Sequence, residues 1–330
     1  MPWATFGQAK AVRTLSAAVA DPAHAYLLCG PEGSGKEILA REFAQALLCT
    51  APADKPCKIC SACRRVEGAG HPDLVVLSPQ GKLGYREEET EDIPAAAAVS
   101  PFEAPYKVFI LNRVETLNRW GGNALLKVLE EPPATVVFLL LTSQPDEVIE
   151  TIRSRCRLIT LRPQSPAAIA ETLRAEKGLT NSAAEAIAHL AAGRLDWALE
   201  AASDADLVDK RKAAVAAIVG LVEAPVNERF QWARRAAERF QDNSQVLYGE
   251  LDLMAAGWRD LLAVIGERAA PSVTTGNEEL VQRVARGLAL GQATAALNAI
   301  LSAKEALEAN VNARLALESL MLALPHKDRP

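Results

Sequence analysis

Five apolar residues, Ala25-Tyr26-Leu27-Leu28-Cys29, run straight into Gly30-Pro31-Glu32-Gly33-Ser34-Gly35-Lys36-Glu37, and a helical pattern follows to Leu48. A strand that is apolar at every position has both faces buried, which points to a parallel sheet covered on both sides by helices. Glycines between such a strand and a helix let backbone N–H groups turn inward around an anion. The helix N-terminus adds partial positive charge, and Lys36 is placed to reach terminal phosphates. Gly30, Gly33, Ser34, Gly35 and Lys36 are therefore the candidate phosphate-loop residues. Where a hydroxyl would hold Mg²⁺, this loop has Glu37.

Further apolar runs at Leu74–Leu77, Val108–Leu111 and Val136–Leu141 predict three more strands of the same sheet. An ATP-hydrolysing site of this type would carry an acidic pair after the Val108–Leu111 strand. One carboxylate would hold the metal and the other would orient water. The chain has Asn112-Arg113 there instead. A neutral amide supplies no counter-charge for a metal and an arginine cannot act as base. Loss of general-base assistance alone costs about two to four orders of magnitude in rate. Glu115 sits close by in sequence, but on a helix-starting loop that is the wrong place for a substitute. The residues leave two alternatives for the loop: it holds a nucleotide without hydrolysing it, or it only keeps the phosphate-loop shape.

Cys49, Cys57, Cys60 and Cys63 form C-x7-C-x2-C-x2-C. Two-residue spacers let successive thiolates turn onto one tetrahedral ion, and four thiolates leave no open position. The expectation is a closed, structural Zn²⁺ site, the alternative being free or redox-active thiols. Lys58, Arg64 and Arg65 make the module basic, read as a solvated surface or as a nucleic-acid contact. Cys29 and Cys156 stand apart among apolar residues and are read as small buried hydrophobes.

After Arg162-Pro163 no β-rich run appears, and Ala, Leu and charged residues dominate to the end. The predicted architecture is an α/β domain over 1–163 with the cysteine module at 49–63, a small helical unit over 164–205 and an all-α domain over 206–330. Leu247, Leu251, Met254, Trp258, Leu261 and Ile265 recur at spacings that make one apolar helix stripe. The stretch 270–277 is expected to be an interhelical loop, and 82–104 a loop with a short helix. The formal net charge of -5 argues against strong independent nucleic-acid binding, which needs a concentrated basic face. No apolar run of roughly eighteen residues exists to span a membrane, and the N-terminus lacks a signal-peptide pattern, so the chain is expected to be cytoplasmic.

Several motifs together resemble the bacterial DNA polymerase III clamp-loader subunits of the AAA+ class. They are Phe6-Gly7-Gln8, His24-Ala25-Tyr26-Leu27, the phosphate loop with its four-cysteine insert, and Gly70-His71-Pro72-Asp73. Asn123-Ala124-Leu125-Leu126-Lys127-Val128-Leu129-Glu130-Glu131-Pro132-Pro133, Ser154-Arg155-Cys156 and Asn310-Val311-Asn312 with Leu315 and Glu318 complete the set. The resemblance implies a AAA+ domain with an inserted zinc module, a small helical lid and a C-terminal collar. It also implies partners: gamma/tau ATPase subunits and delta in a heteropentamer that acts on a sliding clamp and primer-template DNA.

Within the family, Glu37 and Asn112-Arg113 match the non-hydrolysing delta prime branch. The rival is an ATP-hydrolysing gamma-type subunit in which Glu37 binds magnesium. The second sensor position falls on Asp196, or on Arg194 if the alignment shifts by two. Arg155 matches the arginine finger that enters a neighbour's ATP site, the plainer reading being a cation at a helix C-terminus. Thr142 matches the first sensor. Lys127 and Glu130 are assigned no chemistry, and His24 and His71 are read as packing or hydrogen-bonding residues.

Overall fold

The computed structural model describes all residues except 1–2, 4–6, 69, 80–83, 243, 269–272, 310 and 326–330. Phe6, Asn310 and the start of the 270–277 loop lie outside the described residues, as do Lys82 and Leu83 of the 82–104 segment. The chain forms two compact units: 1–178 with 193–197, and 179–192 with 198–330.

The first unit is built on a parallel sheet of strands β1 (Ala25–Cys29), β2 (Leu74–Leu77), β3 (Lys107–Leu111), β4 (Val136–Thr142) and β5 (Arg157–Thr160), in the order β2-β3-β4-β1-β5. Leu28 lies beside Leu141 of β4 on one side and Ile159 of β5 on the other, and Leu111 lies beside Leu140. β1 and β4 are buried at every position. Their alternate residues enter two separate cores, as a sheet covered on both faces requires. Tyr26, Leu28, Leu139 and Leu141 join Leu39, Phe43 and Leu47 of the helix Lys36–Leu48 on one face. Leu27, Phe138 and Leu140 join Leu125 and Leu129 of the helix Arg119–Glu130 on the other. Tyr26 meets Phe43 edge-on at 5.1 Å, and Phe109 stacks on Phe138 at 4.9 Å.

Sequence reading missed β5. It is a sheet edge with only Ile159 buried, and its apolar signal is two residues long, Leu158 and Ile159. The stretch expected to hold one short helix contains two, Glu87–Thr90 and Ile93–Ala98. Gln8 ties three segments together: its Nε2 donates to Arg162 O (2.6 Å) and Ser34 O (3.3 Å), while its Oε1 accepts from Arg162 N–H.

The second unit is helical. The stripe Leu247, Leu251, Met254, Trp258 and Leu261 lies buried on the helix Ser244–Ile265, in a core shared with the helices Ala205–Gly220, Val226–Asp242, Leu290–Glu308 and Ala313–Ala323. Arg229, 2% exposed, enters this core with no carboxylate paired to it among the described residues. Its guanidinium donates to five backbone carbonyls: Ala224, Val222, Met321, Leu324 and Pro325. Three of these lie at the C-terminal end of Ala313–Ala323, where carbonyls have no intrahelical donor. Burial pushes the Arg229 pKa down.

Candidate functional site

Parallel strands deliver their following loops to one edge of the sheet, and here that edge carries a cleft of about 330 Å³. Glu32, Gly33, Lys36 and Glu37 line it after β1, Asn112 and Arg113 after β3, and Thr142 and Ser143 at the end of β4. Arg194 and Asp196 complete it. The loop turns sharply from strand into helix. Gly33 and Gly35 take positive φ of 73° and 88°, and Gly35 caps the helix Lys36–Leu48. At Gly33 a side chain is excluded twice over, because an added Cβ would stand 2.7 Å from the Arg194 Cβ. Ser34 is buried, with no hydrogen-bond partner for its hydroxyl among the described residues.

Lys36 Nζ donates to the loop's own carbonyls, Gly30 O at 2.6 Å and Pro31 O at 2.9 Å. Burial lowers its pKa, opposed first by Asp196 and then by Glu32. Asp196 is the counterpart. Burial raises its pKa and the charge of Lys36 opposes that rise, so the two side chains influence each other electrostatically across the cleft. Both sequence candidates for the second sensor, Arg194 and Asp196, therefore face the loop.

Glu37 is turned to its own helix, where its carboxylate accepts from Arg41 at 3.0 Å. Asn112 gives its amide to Ser78 Oγ at 2.8 Å, and its carbonyl accepts from the Tyr85 hydroxyl. Arg113 adopts φ 51°, with its Nε buried. Glu115 lies nearer the loop than its sequence position suggests. It leans inward from the turn Val114–Thr116, accepts from Ser143 Oγ at 3.4 Å and acts electrostatically on Lys36. The cleft thus holds three cations (Lys36, Arg113, Arg194) and three carboxylates (Glu32, Glu37, Asp196) that largely offset one another. The Thr142 hydroxyl accepts from Gln144 N–H at 3.0 Å, a turn-closing contact.

Arg155 lies outside the cleft, just after the helix Glu150–Arg153. Nη1 donates to Thr151 O at 3.0 Å, the capping contact of the plainer reading, and Nη2 pairs with Glu130 at 2.9 Å. Glu130, given no chemistry from sequence, is thus a partner of the candidate finger. No sequence periodicity could have signalled a pair 25 residues apart.

The four cysteines form a second site. Their Sγ atoms all lie within 4.8 Å of one another, with Cys49 and Cys60 at 3.9 Å. A tetrahedral ion at the usual Zn–S distance of about 2.3 Å requires sulfurs about 3.8 Å apart, so this donor set fits zinc. Cys49 follows the last residue of Lys36–Leu48, and Cys60 precedes the helix Ser61–Glu67. Backbone N–H groups of Ala51, Cys57, Cys60 and Cys63 point at the sulfurs, the donation a thiolate cluster needs. The module's basic residues are engaged locally. Lys58 pairs with buried Glu42 at 3.1 Å, Arg65 with Glu103, and Arg64 donates to Ile59 O. That usage favours structure over nucleic-acid contact.

His71 and Asp73 have structural partners. Asp73 accepts from the backbone N–H groups of Phe102, Glu103 and Ala104, and its own N–H donates to His71 Nδ1 at 3.1 Å. His24 Nε2 is buried with no partner among the described residues.

Comparison with known proteins agrees with this geometry. Residues 7–165 match the family described as DNA polymerase III, delta subunit. The DNA polymerase III subunit delta' of Bacillus subtilis is 27% identical over 310 residues, covering 91% of this chain and 90% of that protein. These matches support a clamp-loader subunit of the delta prime and gamma/tau family of DNA polymerase III. The Pseudomonas aeruginosa subunit delta' is 37% identical over 52% of this chain and 53% of its own length. The B. subtilis subunit tau is 34% identical over 60% of this chain, but the match spans only 38% of that longer protein. The fold is the AAA+ arrangement expected of this family: a five-stranded parallel sheet in one unit, followed by helices. No single helix among the described residues is long and apolar enough to cross a membrane.

Proposed function

We propose that this chain is a non-hydrolysing, delta prime-type subunit. In this reading it is a scaffold that works with gamma/tau ATPase subunits and delta to load a sliding clamp onto primed DNA in the cytoplasm, organised as AAA+ domain (1–163), lid (164–205) and collar (206–330). The observation that carries the reading is the chemistry of the cleft. A metal-triphosphate needs a ligand carboxylate after β3 and an uncommitted lysine. The cleft instead offers Asn112 bonded to Ser78, Arg113, a Glu37 paired with Arg41, and a Lys36 whose amine is donated to the carbonyls of Gly30 and Pro31. The residues therefore fit a nucleotide-Mg²⁺ complex poorly, and the loop's role is to keep the shape of the domain. The cysteine module holds a structural Zn²⁺, supported by the closed four-thiol donor set.

What this chain contributes to hydrolysis is Arg155, acting in trans. Its guanidinium supplies charge to a phosphoryl group in the neighbouring subunit's site, where such a finger is worth about three to five orders of magnitude in rate. Purified alone, the chain should turn over no ATP above background. Magnesium-dependent turnover that disappears in Lys36→Ala would reject the scaffold reading in favour of an ATPase that uses Glu37 as ligand. In a complex reconstituted with its own ATPase and delta subunits, Arg155→Ala should abolish hydrolysis at the adjoining site. Unchanged clamp-stimulated turnover would reject the finger.

A further inference from the structure

An arginine that enters another subunit's site must meet a phosphate without first being gathered from many rotamers. The guanidinium of Arg155 is already fixed at two points, Nη1 on Thr151 O and Nη2 on Glu130 Oε1. These use two of its five N–H groups, so three remain for a ligand. Glu130 is placed unusually for this task. It is the last residue of the helix Arg119–Glu130, where a carboxylate faces the partial negative charge of the helix end. An acid there weakens the helix unless cations offset it; Lys127 stands in the same last turn, and Arg155 is the cation that pairs with Glu130 directly. Both side chains are substantially exposed, at 35% for Arg155 and 54% for Glu130. Such a pair contributes little to fold stability, and its value lies in geometry.

We infer that Glu130 is a positioning residue for Arg155. It holds one edge of the guanidinium so that the opposite edge is presented to the phosphate of a nucleotide bound by the adjoining subunit. This inference rests on the finger reading of Arg155. Arginine carries substantial rotamer entropy, and a fork held in place has less of it to lose on meeting its ligand. Removing the carboxylate should therefore lower the rate of the chemical step while leaving nucleotide affinity alone. The loss should be about tenfold, well short of the loss from removing the arginine itself.

The test is a double-mutant cycle in the reconstituted complex: wild type, Glu130→Ala, Arg155→Ala and the double variant, measuring kcat and KM for clamp-stimulated ATP hydrolysis. Circular dichroism and complex assembly check that each chain folds. The expected result is a kcat loss of about tenfold in Glu130→Ala with KM unchanged, partial recovery in Glu130→Gln, which keeps an acceptor oxygen, and no further loss in the double variant beyond Arg155→Ala. A Glu130→Ala effect that persists in full without Arg155 would show a role in the helix alone and overturn the inference. So would wild-type or raised kcat in Glu130→Ala while Arg155→Ala is impaired, and in that case the finger reading survives. Wild-type turnover in Arg155→Ala would overturn both.

Discussion

Arg229→Met keeps an unbranched side chain of similar reach in the helical core and removes every donor that Arg229 supplies. Of the five carbonyls it serves, those of Val222, Met321 and Leu324 are reached through fully buried contacts. A buried polar group stripped of its partner costs about 1–3 kcal/mol, so three such carbonyls set a gross loss of about 3–6 kcal/mol at the lower half of that range. Against this stands the penalty of keeping a guanidinium out of water without a counter-ion, several kcal/mol, which methionine removes. The five bonds already offset most of that penalty in the folded protein, so only about 1–2 kcal/mol of it is recovered on substitution, and the net expectation is a destabilisation of about 3 kcal/mol. For a unit of this size that is a fall in Tm of about 6–12 °C. Far-UV circular dichroism through thermal unfolding of the full chain measures it. Arg229→Lys, with three donors and a point charge in place of the planar fork, should fall between the two. If Arg229→Met melts within about 1 kcal/mol of wild type, burial of the charge costs as much as the carbonyls gain. The account of Arg229 as the clasp on the last helix would then be wrong.

Elemental analysis should find one zinc per chain, and chelation or Cys60→Ser should make the segment around 49–67 a preferred protease site. An intact, metal-free cluster under reducing conditions would refute the zinc site. Asp73, despite burial, has its pKa held below the usual carboxylate value by three backbone N–H donors. Its stabilisation is therefore complete above the unfolded value of about 3.9 and is lost as pH falls through the lower folded value. Asp73→Asn should cost about 2 kcal/mol at neutral pH and flatten that acid limb in a denaturation series. Burial raises Cys29 to about 11 and Cys156 to about 12, so both thiols stay protonated at pH 8. In the zinc-free protein they should react with a thiol reagent far more slowly than Cys57 and Cys60, whose pKa values are lowered, and equal rates would contradict the raised values.

The central strands of the first unit were legible because they are buried on both faces, and the edge strand Leu74–Leu77 because all four of its residues are apolar. Ala25–Cys29, Leu74–Leu77 and the helix Lys36–Leu48 stand where apolar continuity and the glycine loop place them. β5 was not legible, since an edge strand with one buried residue writes almost nothing into the apolar pattern. The cysteine spacing translated directly into a cluster, because two-residue spacers constrain the backbone locally. Charge pairing did not translate. The approach of Asp196 to the cleft that holds Lys36, the pair of Arg155 with Glu130 and the contact of Glu115 with Ser143 depend on loops brought together by the sheet, and no local rule encodes such distances. Arg229 carries the same lesson. An arginine in an amphipathic helix reads as surface, and only the arrival of the C-terminal carbonyls makes its burial tolerable.

The chain leaves the first unit after Gly178 and returns to it for Gly193–Trp197, which bring Arg194 and Asp196 to the cleft. During synthesis from the N-terminus, the sheet and its glycine loop are complete well before those two residues emerge from the ribosome. For that interval Lys36 has no carboxylate from Asp196 beside it, and the space beside Gly33 is open. The returning segment is thus the last part of the cleft to be made, and it adds one cation and one carboxylate together while closing the space beside Gly33.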